Sequence, residues 1–249
     1  MKNTIRLFTL LFVLVSLFSC KEKVEQTNAP AVTEPEVAEP VLVSKVLTSE
    51  DQSALSPDKV ITAFKEGNER YMNNDLTPRD LPVQVKNSTG GQYPQAVILS
   101  CIDSRVPVEH VFDQGIGDVF VARVAGNVSD EDILGSMEYA CKVAGSKLVL
   151  VMGHEHCGAV KAAIDNVKMG NITALLSKIR PAVLQQSDYD GEKTSKNKEF
   201  VAKVVEGNVE NTINEIRKNS PILKEMEDNG EIKIVGAVYD LDTGKVDFR

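Results

Sequence analysis

An α/β fold, with a central, mainly parallel β-sheet flanked by helices, is predicted by three observations. Two short apolar runs, Ala96-Val97-Ile98-Leu99 and Leu148-Val149-Leu150-Val151-Met152, show no polar alternation. Runs of this kind are the mark of strands buried on both faces. Segments with the helical spacing of apolar residues lie around them. Each run also ends in residues suited to a metal: Ser100-Cys101-Ile102-Asp103-Ser104-Arg105 after the first, Gly153-His154-Glu155-His156-Cys157-Gly158 after the second. Open α/β sheets place their ligands at such C-terminal strand ends.

The elements follow in chain order. Lys2 and Arg6 precede an apolar run from Leu7 to Phe18, too short to span a bilayer and suited to a signal-peptide core. It ends in Leu17-Phe18-Ser19-Cys20, which resembles a bacterial lipobox. Residues 1–20 are therefore read as a lipoprotein signal peptide, with Cys20 the lipidated first residue of the mature protein. The expected location is exported and membrane-anchored, on the periplasmic or surface side of the cell envelope. Residues 21–50 are rich in Glu, Val, Ala and Pro without a sustained period. Such a stretch buries too little apolar surface to offset its ordering entropy and reads as a disordered tether.

Residues 51–249 form the catalytic domain in this reading. Ser56-Pro57-Asp58 supplies a helix cap with a proline in the first turn, and Val60, Ile61, Phe64, Asn68 and Tyr71 then fall near one face. Arg79 to Gly91 is polar and turn-rich and is expected to be a loop. The first apolar run follows. Val108 to Phe112 is a short helix and Val119 to Val124 a second strand. Asp130 to Ala144 is helical, with Gly145 placed to end it.

The third strand leads into His154, and a helix from Gly158 to Val167 starts at the metal site. Ile172 to Leu184 is a helix interrupted near Pro181. Gln185 to Lys198 is a surface loop, and Phe200 to Lys218 a long helix. Ile232 and Ile234 open a strand toward Val238. Lys245 to Arg249 returns beyond the Asp242-Thr243-Gly244 turn as an edge strand.

Charge and cysteine usage narrow the function. The formal net charge of -8 becomes -10 once Lys2 and Arg6 are removed with the signal segment. An acidic chain without basic blocks argues against nucleic acid as a partner. Of the four cysteines, Cys20 belongs to the anchor and Cys101 and Cys157 to the metal. Cys141 is left as a small buried hydrophobe on a helix.

Two thiolates and an imidazole, from Cys101, Cys157 and His154, suit Zn²⁺, and three protein ligands leave a fourth position open for chemistry. Two thiolates also cancel the charge of the ion, so its water should titrate above the value of about 7 typical of a three-histidine site. Something else must then favour hydroxide. Asp103 is placed to accept its hydrogen bond, and Arg105, two residues on, can pair bidentately with that carboxylate and hold it from the metal.

Cys-x-Asp-x-Arg followed about fifty residues later by His-x-x-Cys resembles the β-class carbonic anhydrases. The similarity runs from about Ser56 onward and takes in Asp118-Val119-Phe120-Val121-Ala122-Arg123, Gly126-Asn127 and Gly236-Ala237-Val238-Tyr239-Asp240. It implies a zinc lyase that hydrates carbon dioxide reversibly to bicarbonate and a proton by zinc-bound hydroxide. It implies the same roles for Asp103 and Arg105, with Asp103 a fourth zinc ligand in a closed state. By resemblance alone, Gln92, Phe120, Tyr139 and Gly158 are substrate contacts, Phe120 and Tyr139 forming an apolar wall. That wall is completed across a dimer interface in the family, which implies a homodimer or a higher even oligomer. The absence of tryptophan speaks against the subgroup with a tryptophan-dependent bicarbonate site.

Two other functions fit the same residues. One is hydrolysis of carbonyl sulfide or carbon disulfide. The other is a non-catalytic, membrane-tethered zinc-binding protein, its site closed by Asp103 or His156. His110 and His156 are the remaining histidines and are left outside the catalytic set.

Overall fold

The computed structural model describes residues 41–249; the signal peptide, Cys20 and tether residues 21–40 lie outside them. Five strands form one sheet: β1 (Ala96–Ser100), β2 (Val119–Arg123), β3 (Leu148–His154), β4 (Lys233–Tyr239) and β5 (Val246–Phe248). Their order is β2-β1-β3-β4-β5. The first four pair in parallel, and β5 returns antiparallel to β4. The predicted α/β class and parallel sheet are what the chain adopts.

Both central strands are buried along their whole length, as their unbroken apolar sequence requires. Successive side chains of a strand point to opposite faces, so each strand feeds two cores. Ile98, Leu148, Leu150 and Met152 pack on one face with Val60, Phe64 and Phe112. Val97, Leu99, Val149 and Val151 pack on the other with Met137, Cys141, Val209, Ile213 and Ile216. Full burial of each such aliphatic side chain contributes about 2 kcal/mol.

On the first face lies α2 (Pro57–Met72), capped by the Ser56 side chain on the Lys59 amide. Phe64 stacks on Phe112, with ring centroids 4.8 Å apart. Asn68 is the buried polar member of that helix face. Its Nδ2 donates to the Val111 and Gly244 carbonyls at 3.1 and 2.9 Å, and its Oδ1 accepts from the Val246 amide at 2.8 Å. It ties the helix to the edge of the sheet. The second face is covered by α5 (Glu131–Glu138), which passes into a π-turn at Tyr139–Val143, and by α8 (Lys198–Asn219). Gly145 ends that segment as expected, with φ +83°. Burial pushes the Cys141 thiol up to about 12, so it stays a neutral core group.

Three sequence expectations need correction, and one helix was missed. Arg79 to Gly91 is not all loop, because α3 (Leu81–Asn87) sits inside it with Asp80 capping the Val83 amide. The tether does not reach residue 50. Val43 bridges to Arg79, Gln84 donates to the carbonyls of Val43 and Lys45, and Asn87 to that of Ser44. A short helix, α1 (Ser49–Ser53), follows with a Thr48–Asp51 capping box. Side-chain amides supplied by α3 thus order a strap whose own sequence has no apolar period.

Pro181 does not interrupt its helix either. The helix runs unbroken over Gly170–Gln185 because Leu176, Ile179 and Ala182 are buried on both sides of it, and packing outweighs the lost hydrogen bond. The remaining helices are α4 (Val108–Val111), α6 (Gly158–Ile164), the Pro181 helix as α7, and α9 (Pro221–Asp228). The sequence reading passed over α9, although Ser220-Pro221 carries the same cap-and-proline signal as Ser56-Pro57.

Candidate metal centre

Parallel register brings the site together. Ser100 at the end of β1 lies beside Met152 of β3 and Arg123 of β2. Cys101 is the next residue after β1, and His154 is the last of β3. Cys157 follows three residues later and precedes the first turn of α6. The ligand atoms of Cys101, His154 and Cys157 lie within 4.8 Å of one another, all three residues buried. Around them pack Val160, Ile179, Phe200, Val204 and Val205, so the group sits in an apolar shell.

Each donor is prepared for a cation. His154 Nδ1 lies 2.8 Å from the Glu155 carbonyl, which assigns it the proton and leaves Nε2 as the free donor atom. That Nε2 is buried and has no hydrogen-bond partner among the described residues. A buried nitrogen without a partner needs an explanation, and a metal ion supplies one. The thiols behave as a pair. Cys101 is pushed down by the Cys157 thiol donating to it, and further by His154 and the Gly126 amide, against its burial. Cys157 is pushed up by Cys101, by burial and by the charge on its neighbour. One negative charge is therefore readily held, and the second requires a cation. The residues fit zinc.

Asp103 and Arg105 flank this group. Arg105 donates from Nε to Asp103 Oδ1 at 2.9 Å and from Nη2 to Oδ2 at 2.7 Å, and its amide adds a third bond at 3.0 Å. The Arg105 side chain holds the Asp103 carboxyl well below the usual carboxylate range, against some desolvation, with help from the Arg105 amide and His154. Asp103 Oδ2 stands 3.7 Å from His154 Nε2, beside the ligand atoms and outside their group. Arg123, which the sequence reading assigned no role, donates to the Cys101 carbonyl at 3.0 Å and to the Asp103 carbonyl at 2.6 Å. Its signal was its register position, invisible until β1 and β2 are paired.

The other predicted residues are spread out. Gly158 adjoins Cys157 at the start of α6, with open space where a side chain would go. Phe120 and Tyr139 meet edge to face at 6.2 Å. With Val97, Ala122 and Ile133 they line a cavity of about 650 Å³ on the outer flank of the sheet. Val97 lies four residues before Cys101 along β1, about 13 Å at strand rise. Gln92 is exposed and lies before the N-terminal end of β1, the opposite end of the strand from Cys101. These three are therefore not gathered at the thiols of their own chain. His110 is exposed. His156 falls in a separate, partly exposed group with Glu155 and Asp242, lining a cavity of about 140 Å³ together with Lys198.

Comparison with known proteins places this geometry. A family model described as carbonic anhydrase matches residues 96–246. Carbonic anhydrase 2 of Mycobacterium tuberculosis is 38% identical over 195 residues, covering 75% of this chain and 90% of that protein. The carbonic anhydrase of Mycolicibacterium smegmatis is 35% identical over the same shares. Among solved structures, a Coccomyxa β-carbonic anhydrase in complex with acetazolamide aligns with a TM-score of 0.60 at 25% identity, over 77% of this chain and 82% of that one. A tetrameric β-carbonic anhydrase from Sordaria macrospora aligns with a TM-score of 0.61 at 23% identity, over 76% and 93%.

Proposed function

The chain belongs to the carbonic anhydrase family, with the fold of its β class, and from that premise we propose how its residues hydrate carbon dioxide to bicarbonate and a proton. The observation that carries the reading is the buried Cys101–His154–Cys157 group with the Arg105-bound Asp103 beside it. A zinc ion held by the three would supply Lewis acidity and lower the pKa of a bound water.

Asp103 is the acceptor for the O–H of the attacking water-derived oxygen. A carboxyl held so far below its usual range stays ionised throughout the working pH. It therefore orients the nucleophile and is too weak a base to keep the proton, which leaves to solvent. Arg105 fixes the carboxylate by both edges and denies it the position of a fourth ligand. Arg123 fixes the backbone beneath it. Three protein ligands with Asp103 held aside would leave a zinc ion an open position, as a catalytic site requires and a closed structural site does not.

The substrate wall is proposed to be shared between two copies of the chain. β2 is an edge strand whose Val119, Phe120, Val121 and Ala122 are only half-buried. Tyr139, which packs on Phe120, is 51% exposed. An apolar edge strand is a liability unless covered. A dimer across β2 covers it and carries Phe120, Tyr139 and Gln92 toward the partner's metal centre. That a relative in fold is described as tetrameric supports an assembly built on such dimers.

The location is read from the sequence alone. Export and lipid anchoring at Cys20 rest on the signal core and the lipobox-like end of residues 1–20. No helix among the described residues is long and apolar enough to cross a membrane.

Stopped-flow assays of the zinc-loaded protein against carbon dioxide, carbonyl sulfide and carbon disulfide test the function. The expected result is rapid zinc-dependent hydration of carbon dioxide. Turnover confined to the sulfur analogues, or none, would overturn it.

A further inference from the structure

The Cys101 sulfur accepts a hydrogen bond from the Gly126 amide at 3.3 Å, in a buried position. That amide is held from several sides. Gly126 has φ +71°, a conformation that favours glycine, and a Cβ there would stand 2.6 Å from Ile179 Cδ1, so any side chain would be strained. Its carbonyl accepts from Asn208 Nδ2 at 2.7 Å, also buried. Asn208 sits on α8, 1% exposed, among the buried residues Val204, Val205, Val209 and Thr212. Only a donor can face a carbonyl, so the amide orientation is fixed by chemistry. The price is Asn208 Oδ1, buried with no partner among the described residues.

We propose that Asn208 is a positioning residue for the metal centre: it aims the Gly126 amide at the Cys101 thiolate and so weakens that sulfur as an electron donor. The inference rests on the zinc reading above and addresses its electrostatic difficulty. Two thiolates neutralise the ion and blunt its Lewis acidity, and hydrogen bonds to ligand sulfur return part of it. Gly126 carries the bond, but α8 decides where the bond points.

The test uses the full chain with cobalt(II) replacing zinc, because thiolate-to-cobalt charge transfer reports the donor strength of the sulfur directly. Asn208→Ala should move the charge-transfer band to longer wavelength. In the zinc form it should move the midpoint of the pH–rate profile upward, so that activity falls several-fold at neutral pH and recovers in alkali. Asn208→Ser, whose hydroxyl stops one bond short of the Nδ2 position, should give the same shift if the alanine variant does not fold. Thr212→Val, buried on the same helix without a bond to Gly126, should leave band and midpoint in place even where it lowers Tm. A lower Tm with unchanged band and midpoint in the Asn208 variants would overturn the inference. Failure of the wild-type chain to show thiolate-to-cobalt charge transfer would instead overturn the zinc reading itself.

Discussion

Arg105 grips Asp103 along both carboxylate oxygens, Nε on Oδ1 at 2.9 Å and Nη2 on Oδ2 at 2.7 Å, while Oδ2 stands 3.7 Å from the free nitrogen of His154. The carboxylate is thus within a small movement of the metal ligands and is kept from joining them by one guanidinium. Arg105→Ala should release it to become a fourth ligand. The variant is expected to stay folded and zinc-loaded while hydration falls by about 10²-fold or more. Cobalt(II) spectra showing an added oxygen ligand would check the cause. Arg105→Lys should rescue little, since lysine lacks the planar fork. Full activity in Arg105→Ala would remove this role.

A second expectation concerns subunit exchange. If Gln92 serves the partner's site, a Gln92→Ala chain and an Asp103→Asn chain are each inactive alone but form one intact site in a mixed dimer. Refolding the two together should restore about a quarter of wild-type activity, the statistical share in a symmetric dimer. No recovery, with mixed dimers shown to form by mass spectrometry, would mean that each site is built within one chain.

Asp113 gives a stability prediction. It is fully buried and receives Arg70 Nε at 2.6 Å, Arg79 Nη1 at 2.5 Å and Thr77 Oγ1 at 2.6 Å. Burial raises its carboxyl, but Thr77, Arg79 and Arg70 together bring it below the ordinary value. Because the folded pKa lies under the unfolded value of about 3.9, the contribution is complete above about pH 4 and is lost as pH falls through the folded pKa. Asp113→Asn leaves two cations unanswered and should lower stability at pH 7 by about 3 kcal/mol. Urea unfolding should show this loss, together with a flatter dependence on pH below 4 than the wild type.

Labelled fatty acid should be incorporated at Cys20 in the wild type and lost in Cys20→Ser, which should leave the catalytic domain active in the soluble fraction. Stable anchoring needs more than one acyl chain, so mass spectrometry of the mature N-terminus should find several. Absence of label from the wild type would remove the anchor.

The sheet was legible because β1 and β3 are buried on both faces, and their continuous Val, Leu and Ile runs admit little else. The zinc ligands were legible because Cys101 and His154 stand at the ends of those runs, where parallel strands must present them together. Arg123 was not, since its partners are the carbonyls of Cys101 and Asp103 and its role depends on the register of β2. Nor was Asn208, whose partner lies 82 residues away. α3 was hidden by a polar composition, although Asp80 and Pro82 mark its start, and the strap before it is ordered by side chains of another element. Gln92, Phe120 and Tyr139 were legible only through the family resemblance: Phe120 and Tyr139 do meet, but Gln92 precedes the end of β1 opposite to Cys101, and no local pattern ties it to the thiols.

The central claim is that Asp103 orients the nucleophile beside a zinc ion held by Cys101, His154 and Cys157. Its most direct test is the hydration rate of Asp103→Asn across pH, with zinc content measured on the same sample. One zinc per chain and a rate lowered about 10²-fold or more at every pH are the predicted result. A zinc-loaded Asp103→Asn variant that hydrates carbon dioxide at near wild-type rate would contradict it.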